Sequence, residues 1–111
     1  MLATDLDGTL LRADGTVSAR TAAALDAVQR AGLLTVIVTA RPPRWLHELT
    51  HVVGEHGVAI CGNGAFVYDV PARRVLRTEG FDRHTVLSLV EDLRRSVPGI
   101  TFGLERASGA M

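Results

Sequence analysis

Hydrophobic positions along the first half of the chain switch between short continuous runs and helical spacing, and each switch marks an element. Met1 to Thr4 reads as a very short strand. Between Leu10 and Val17, Ala13-Asp14-Gly15 is a turn signal with apolar flanks, which suggests a small flap or hairpin. Ser18, preceded by Val17, suits a helix N-cap. Ala22, Leu25, Val28 and Gln29 follow at helical spacing, and Gly32 ends that helix at about Ala31. Leu33 to Val38 is continuously apolar and β-branched, the pattern of a strand buried on both faces of a parallel sheet. Pro42 and Pro43 fit the first turn of a second helix. Its apolar stripe is Trp45, Leu46, Leu49, Val52 and Val53, and Gly54 or Gly57 stops it. Val58 to Ile60 is a third short strand, ending in Cys61-Gly62-Asn63-Gly64.

Strand, helix, strand, helix, strand within about 60 residues predicts two right-handed βαβ units, an α/β Rossmann-like parallel sheet. The pattern then changes. Phe66 to Val70 and Arg74 to Thr78 read as a β-hairpin around Pro71-Ala72-Arg73. Asp82 N-caps a helix through about Ser96, broken by Pro98-Gly99, and Ile100 to Leu104 reads as a last strand. A boundary near Gly80 follows, with parallel α/β structure over residues 1–80 and the start of an α+β unit over 81–111.

Charge adds an exclusion. The 12 basic and 12 acidic residues balance, so no basic field argues for nucleic acid or an anionic membrane surface. Every basic residue is Arg. The single Cys61 rules out an internal disulfide and fits a reducing cytoplasm; burial as a small apolar residue is its expected role. No apolar run reaches membrane-spanning length, and the N-terminus has no signal-peptide pattern. His47, His51 and His56 lack an accompanying carboxylate pattern and read as surface residues rather than metal ligands.

The chemistry concentrates in Thr4-Asp5-Leu6-Asp7-Gly8-Thr9-Leu10. Residues i and i+2 of a strand share a face, so Asp5 and Asp7 are expected to project together where the first strand ends. Two carboxylates so placed repel unless a cation joins them. The ends of the three strands deliver Asp5/Asp7, Thr39/Ala40/Arg41 and Asn63/Gly64 to one sheet edge, where open α/β sheets keep their ligands. A phosphate dianion beside a carboxylate is repelled by roughly 8 kcal/mol at 4 Å and an effective dielectric of 20, and Mg²⁺ between them reverses the sign. Asp5 then suits a nucleophile and Asp7 a general acid and base. Thr39 offers a hydroxyl to phosphate oxygens or a cap before Pro42. Gly8 permits close backbone approach. Arg41 suits either a surface salt bridge or a substrate contact. Asn63-Gly64 suits either a positive-φ loop or a substrate contact.

Asp5-Leu6-Asp7-Gly8-Thr9-Leu10-Leu11 resembles the first motif of the haloacid dehalogenase-like (HAD) phosphohydrolases. A D-x-D-G-T run arises by chance in roughly one chain of this length in a thousand. Thr39-Ala40-Arg41-Pro42 resembles their second motif, and Asn63-Gly64-Ala65 before a hairpin and a helix is similar to the Cof-type members with a type IIB cap. The resemblance implies an aspartyl-phosphate on Asp5, acid/base work by Asp7, and Mg²⁺ held by both. It also implies phosphate and substrate contacts from Leu6, Gly8, Thr39, Ala40, Arg41, Asn63 and Gly64. The implied activity is hydrolysis of a small phosphorylated metabolite. A phosphomutase, or a non-catalytic assembly piece, are the alternatives.

The family's third-motif Lys and fourth-motif acidic cluster have no counterpart: the chain contains no Lys and no Gly-Asp-x-x-Asn-Asp-like stretch. The expectation is therefore an N-terminal portion of a larger enzyme: a partial HAD core with the beginning of a cap. Such a portion is expected to be weak or inactive alone. It should also carry an exposed sheet edge open to self-association.

Overall fold

The computed structural model describes residues 1–53 and 57–107. Gly54, His56 and the side chain of Val53 fall outside that description. Five strands form one sheet in the order β1-β2-β3-β4-β5. Strands β1 (Leu2–Asp5), β2 (Thr35–Val38) and β3 (Val58–Cys61) are parallel. Strand β4 (Phe66–Asp69) runs antiparallel to β3, and β5 (Arg74–Thr78) returns antiparallel to β4. The hairpin foreseen in the sequence thus extends the parallel sheet. Its turn holds Arg73 at φ 51°, and the Ala72 N–H donates to Asp69 Oδ1 at 2.9 Å.

Helix α1 (Ala19–Arg30) starts where expected, with Ser18 Oγ accepting from the Thr21 N–H at 2.9 Å. The flap is a turn, closed by the Arg12 N–H donating to the Thr16 carbonyl at 2.8 Å, without flanking strands. The second crossover differs from expectation. In place of one helix there are two 3₁₀ turns, Pro43–Trp45 and His47–Leu49, and then a single α turn, α2 (Thr50–Val53). Leu46, Leu49 and Val52 still reach the core, but Trp45 lies 59% exposed, with the Arg44 guanidinium over its ring. A 3₁₀ turn advances 120° per residue rather than 100°, so the stripe drifts and loses Trp45.

Both crossovers cover the same face of the sheet. Leu25 of α1 and Leu46, Leu49 and Val52 pack with Ile37, Ala59, Cys61, Phe66 and Tyr68 in one core. The opposite face is open, with Val38 41% and Ile60 36% exposed. Strand β2 is therefore not buried on both faces along its length, as its apolar run suggested. It also starts at Thr35, leaving Leu33 and Leu34 half exposed. The free edge of β1 is unpaired among the described residues.

Helix α3 (Arg83–Ser96) is capped by Asp82, whose carboxylate accepts from the Thr85 N–H at 2.9 Å. Ile100 to Leu104 is not a strand. A strand needs a neighbour for its backbone donors and acceptors, and among the described residues this segment pairs with neither edge strand of the sheet, β1 or β5. That segment is instead tied by side chains: Phe102 lies under the Arg94 guanidinium, and Glu105 pairs with Arg44 at 2.6 Å.

Candidate active site

The parallel strands are in register at their carboxyl ends, with Asp5 beside Val38 and Val38 beside Ile60. Partners in register project to the same face, so the Asp5 side chain emerges on the open side of the sheet. An open cavity of about 420 Å³ lies there, lined by Asp5, Val38, Thr39, Ala40, Ile60, Asn63 and Gly64. Five of the nine sequence-selected residues thus surround one space: Asp5, Thr39, Ala40, Asn63 and Gly64. The Asp5 carboxylate has no protein partner among the described residues and faces solvent.

Asp7 arrives by a different route from the one expected. The strand ends at Asp5, so alternation does not carry on to residue 7. The chain turns instead, with the Leu6 carbonyl accepting from the N–H groups of Leu10 and Leu11 at 3.1 and 2.9 Å. Gly8 supports this turn at φ 79°, and a Cβ there would meet nothing, so the requirement is conformational rather than spatial. Asp7 then meets the β2 loop. Arg41 Nη2 and Nε donate to its two oxygens at 2.6 and 3.0 Å, while Thr39 Oγ1 approaches at a long 3.4 Å. The cation that two neighbouring carboxylates call for is thus supplied, for Asp7, by the Arg41 guanidinium. Both partners are substantially exposed, so the pair contributes at most about 1 kcal/mol to folding. Arg41 is engaged by Asp7, rather than standing free toward a substrate.

Thr39 is 5% exposed and links the parts. Its hydroxyl accepts from the Arg41 N–H at 3.1 Å, and its own N–H donates to the Ile60 carbonyl at 2.9 Å. The Gly62 N–H donates to the Arg41 carbonyl at 2.9 Å, joining the loops after β2 and β3. Gly62, Asn63 and Gly64 all have positive φ, at 59°, 56° and 94°. Asn63 in this conformation is the turn feature left open by its sequence, and it also lines the cavity. The Leu6 side chain is fully buried, so any role of Leu6 at the site belongs to its backbone.

Among the described residues, no three His, Cys, Asp or Glu side chains gather as a metal cage. His47 lies against the core edge, with its Nδ1 3.2 Å from the Tyr68 hydroxyl. A Mg²⁺ ion that keeps several waters needs less than a cage, only one or two carboxylates and a substrate phosphate. The solvent-facing Asp5 carboxylate suits that requirement.

The sequence profile of the haloacid dehalogenase-like hydrolases matches residues 2–110. The chain belongs to that family. Among HAD relatives, it is 34% identical over 93 residues to the pyridoxal phosphate phosphatase YbhA of Escherichia coli K12, covering 84% of this chain and 34% of YbhA. The HAD phosphatase BT1666 of Bacteroides thetaiotaomicron superposes with a TM-score of 0.73 at 30% identity, over 86% of this chain and 35% of its own. The HAD subclass IIB sugar phosphatase BT4131 gives 0.62 at 25% identity, over 86% and 37%. The chain thus spans about a third of the length of the HAD proteins it matches.

Beside the Asp5 cavity lies a second, of about 530 Å³, which shares Ala40 and Asn63 with it. Glu105 lines this space; its Oε2 accepts from Arg44, while its Oε1 is buried with no hydrogen-bond partner. An acceptor left so costs about 1–3 kcal/mol. Sequence reasoning missed Glu105. A lone acid in an irregular segment has no period or spacing to mark it, and only the fold brings it beside Asn63.

Proposed function

We propose that the protein is a Mg²⁺-dependent phosphohydrolase of small phosphorylated metabolites, with Asp5 as nucleophile and Asp7 as acid and base. The observation that carries this reading is the single cavity at the carboxyl ends of β1, β2 and β3, into which Asp5, Thr39, Ala40, Asn63 and Gly64 converge. Membership in the HAD family and likeness to proteins named as phosphatases support it.

Asp5 Oδ attacks phosphorus as the ester P–O bond breaks, and Asp7 gives the departing alkoxide its proton. Water then attacks the acyl phosphate, returning its proton to Asp7 and freeing inorganic phosphate with Asp5 restored. Proton transfer requires an Asp7 oxygen released from Arg41. Thr39 and the Gly8 backbone orient phosphate oxygens. A bound Mg²⁺, held by the Asp5 carboxylate and the Asp7 backbone rather than the proton-carrying Asp7 carboxyl, would offset the repulsion between carboxylate and phosphate. Among the described residues no helix is long and apolar enough to cross a membrane, which suits action on dissolved metabolites.

The test is hydrolysis of an aryl phosphate with Mg²⁺ and after chelation, comparing wild type with Asp5→Asn. Activity that depends on Mg²⁺ and disappears in the variant is expected of the full-length protein, and at most a weak form of it from this portion alone. Equal activity in Asp5→Asn overturns the assignment. Product analysis with sugar phosphates separates hydrolysis from phosphomutase action.

A further inference from the structure

A third cavity, of about 160 Å³, lies between the second crossover and the β4–β5 hairpin, and Arg44, His47, Tyr68 and Arg73 line it with Pro43 and Val75. None of these residues borders the Asp5 cavity or its neighbour. Tyr68 packs in the core on the covered face of the sheet, whereas Asp5 emerges on the open face.

The lining is basic. It contains two guanidinium groups and an imidazole, and no Asp or Glu among the described residues. Arg44 is partly neutralised, because Glu105 Oε2 accepts from its Nη1 at 2.6 Å. Arg73 makes no ion pair among the described residues. Burial raises the Tyr68 hydroxyl above its ordinary pKa of 10.0 and the Arg73 charge opposes that rise, so guanidinium and hydroxyl lie within electrostatic reach of each other. The hydroxyl stays protonated at neutral pH and remains a donor.

His47 frees that donor. Its Nδ1 lies 3.2 Å from the Tyr68 hydroxyl. With the imidazole proton on Nδ1, the ring donates to the hydroxyl oxygen, and the hydroxyl hydrogen is left for a ligand. An uncompensated guanidinium beside a free O–H suits an anion with several acceptor oxygens, since the planar fork engages two oxygens at once. Size narrows the class. The space is smaller than the roughly 300–1,000 Å³ of pockets for drug-sized molecules, so it suits a single small ion.

We propose that this cavity binds a small oxyanion, of the size and charge of inorganic phosphate or sulfate, held by the Arg73 guanidinium and the Tyr68 hydroxyl. Arg44 and His47 complete its wall. The site needs no metal and does not rest on the phosphohydrolase reading, because it shares no residue with the Asp5 cavity.

Titration of the protein with inorganic phosphate, followed by amide chemical shifts, tests it. Chelator is present throughout, so that no metal draws phosphate to Asp5. Saturable shifts at Arg44, His47, Tyr68 and Arg73 are expected, with sulfate giving the same pattern and chloride at matched ionic strength giving none. Arg73→Gly keeps the left-handed φ of 51° without strain and removes the charge; it should weaken phosphate about tenfold, the worth of one charge-assisted hydrogen bond. Tyr68→Phe preserves the buried ring and removes only the hydroxyl, and it should also weaken phosphate. Shifts confined to the loops at Thr39 and Asn63, an affinity unchanged in either variant, or equal shifts with chloride overturns the proposal. So does the absence of saturable binding.

Discussion

Replacing Gly62 with Ala should cost more than the same change at Gly8 or Gly64, where an added Cβ meets nothing. Gly62 has φ 59°, and an Ala Cβ there would lie 3.0 and 3.2 Å from Cδ2 and Cε2 of Phe66. Holding a non-glycine residue in the left-handed region costs roughly 1–2 kcal/mol. The Phe66 ring is 4% exposed and packed in the core, so relieving the contact means displacing it from that packing toward the cavity it lines. Overpacking of that kind adds about 1–3 kcal/mol. The sum is about 2–5 kcal/mol, and for a domain of this size 3 kcal/mol lowers Tm by roughly 12–24 °C. Urea unfolding followed by circular dichroism measures it. A double-mutant cycle isolates the contact: in a Phe66→Leu background, the Gly62→Ala penalty should fall by about 1–3 kcal/mol, leaving the backbone share. A coupling within about 0.5 kcal/mol of zero would show that the ring does not set the glycine requirement. The consequence reaches the site, because the Gly62 N–H ties the Asn63 loop to the Arg41 carbonyl.

Arg41→Ala removes both donors from Asp7; it should change unfolding free energy by less than about 1 kcal/mol, since the pair is exposed, yet alter kcat for aryl phosphate. Burial pushes the Cys61 thiol up to about 11, so it should resist iodoacetamide at neutral pH and react at the free-thiol rate only once urea unfolds the chain. For stability the sign is that of a raised value: the contribution of neutral Cys61 is full below the ordinary thiol pKa and is lost as pH rises toward about 11. Hydrogen bonds from the Thr85 N–H and hydroxyl hold Asp82 below the usual carboxylate value of 3.8. The cap's contribution is therefore present above that value and lost as pH falls through the folded-state one. Amide protection in the first turn of α3, measured relative to the intrinsic exchange rate at each pH, should fall on acidification below 3.8, and Asp82→Asn should remove that fall.

Much of this architecture was legible because local signals and tertiary packing agree. Ser18 and Asp82 cap the helices their spacing announced, and the β2 and β3 runs pair in parallel. Where local pattern needs a neighbour to be realised, the reading failed. Ile100 to Leu104 has strand composition but pairs with no strand among the described residues. Pro42, Pro43 and Trp45 looked like a helix start, yet the segment folds as 3₁₀ turns that keep Leu46 and Leu49 inside. An apolar run also cannot say which face of a sheet is covered, so the exposure of Val38 and Ile60 was invisible. At the site, the motif residues Asp5 and Thr39 reach one cavity as anticipated. The capture of Asp7 by Arg41 depends on the turn after Leu6, and Glu105 depends on a chain path that no spacing encodes.

The central claim is that phosphorus is transferred to one particular carboxylate, and covalent trapping addresses it most directly. Turnover of an aryl phosphate with Mg²⁺ would be quenched in acid and treated with borohydride, which reduces an acyl phosphate to an alcohol. The chain would then be cleaved after Arg12 and the N-terminal peptide sequenced by mass spectrometry. The account predicts the reduced side chain at residue 5 and nowhere else, and its absence in Asp5→Asn. Modification at Asp7, or continued hydrolysis with residue 5 unmodified, would contradict it.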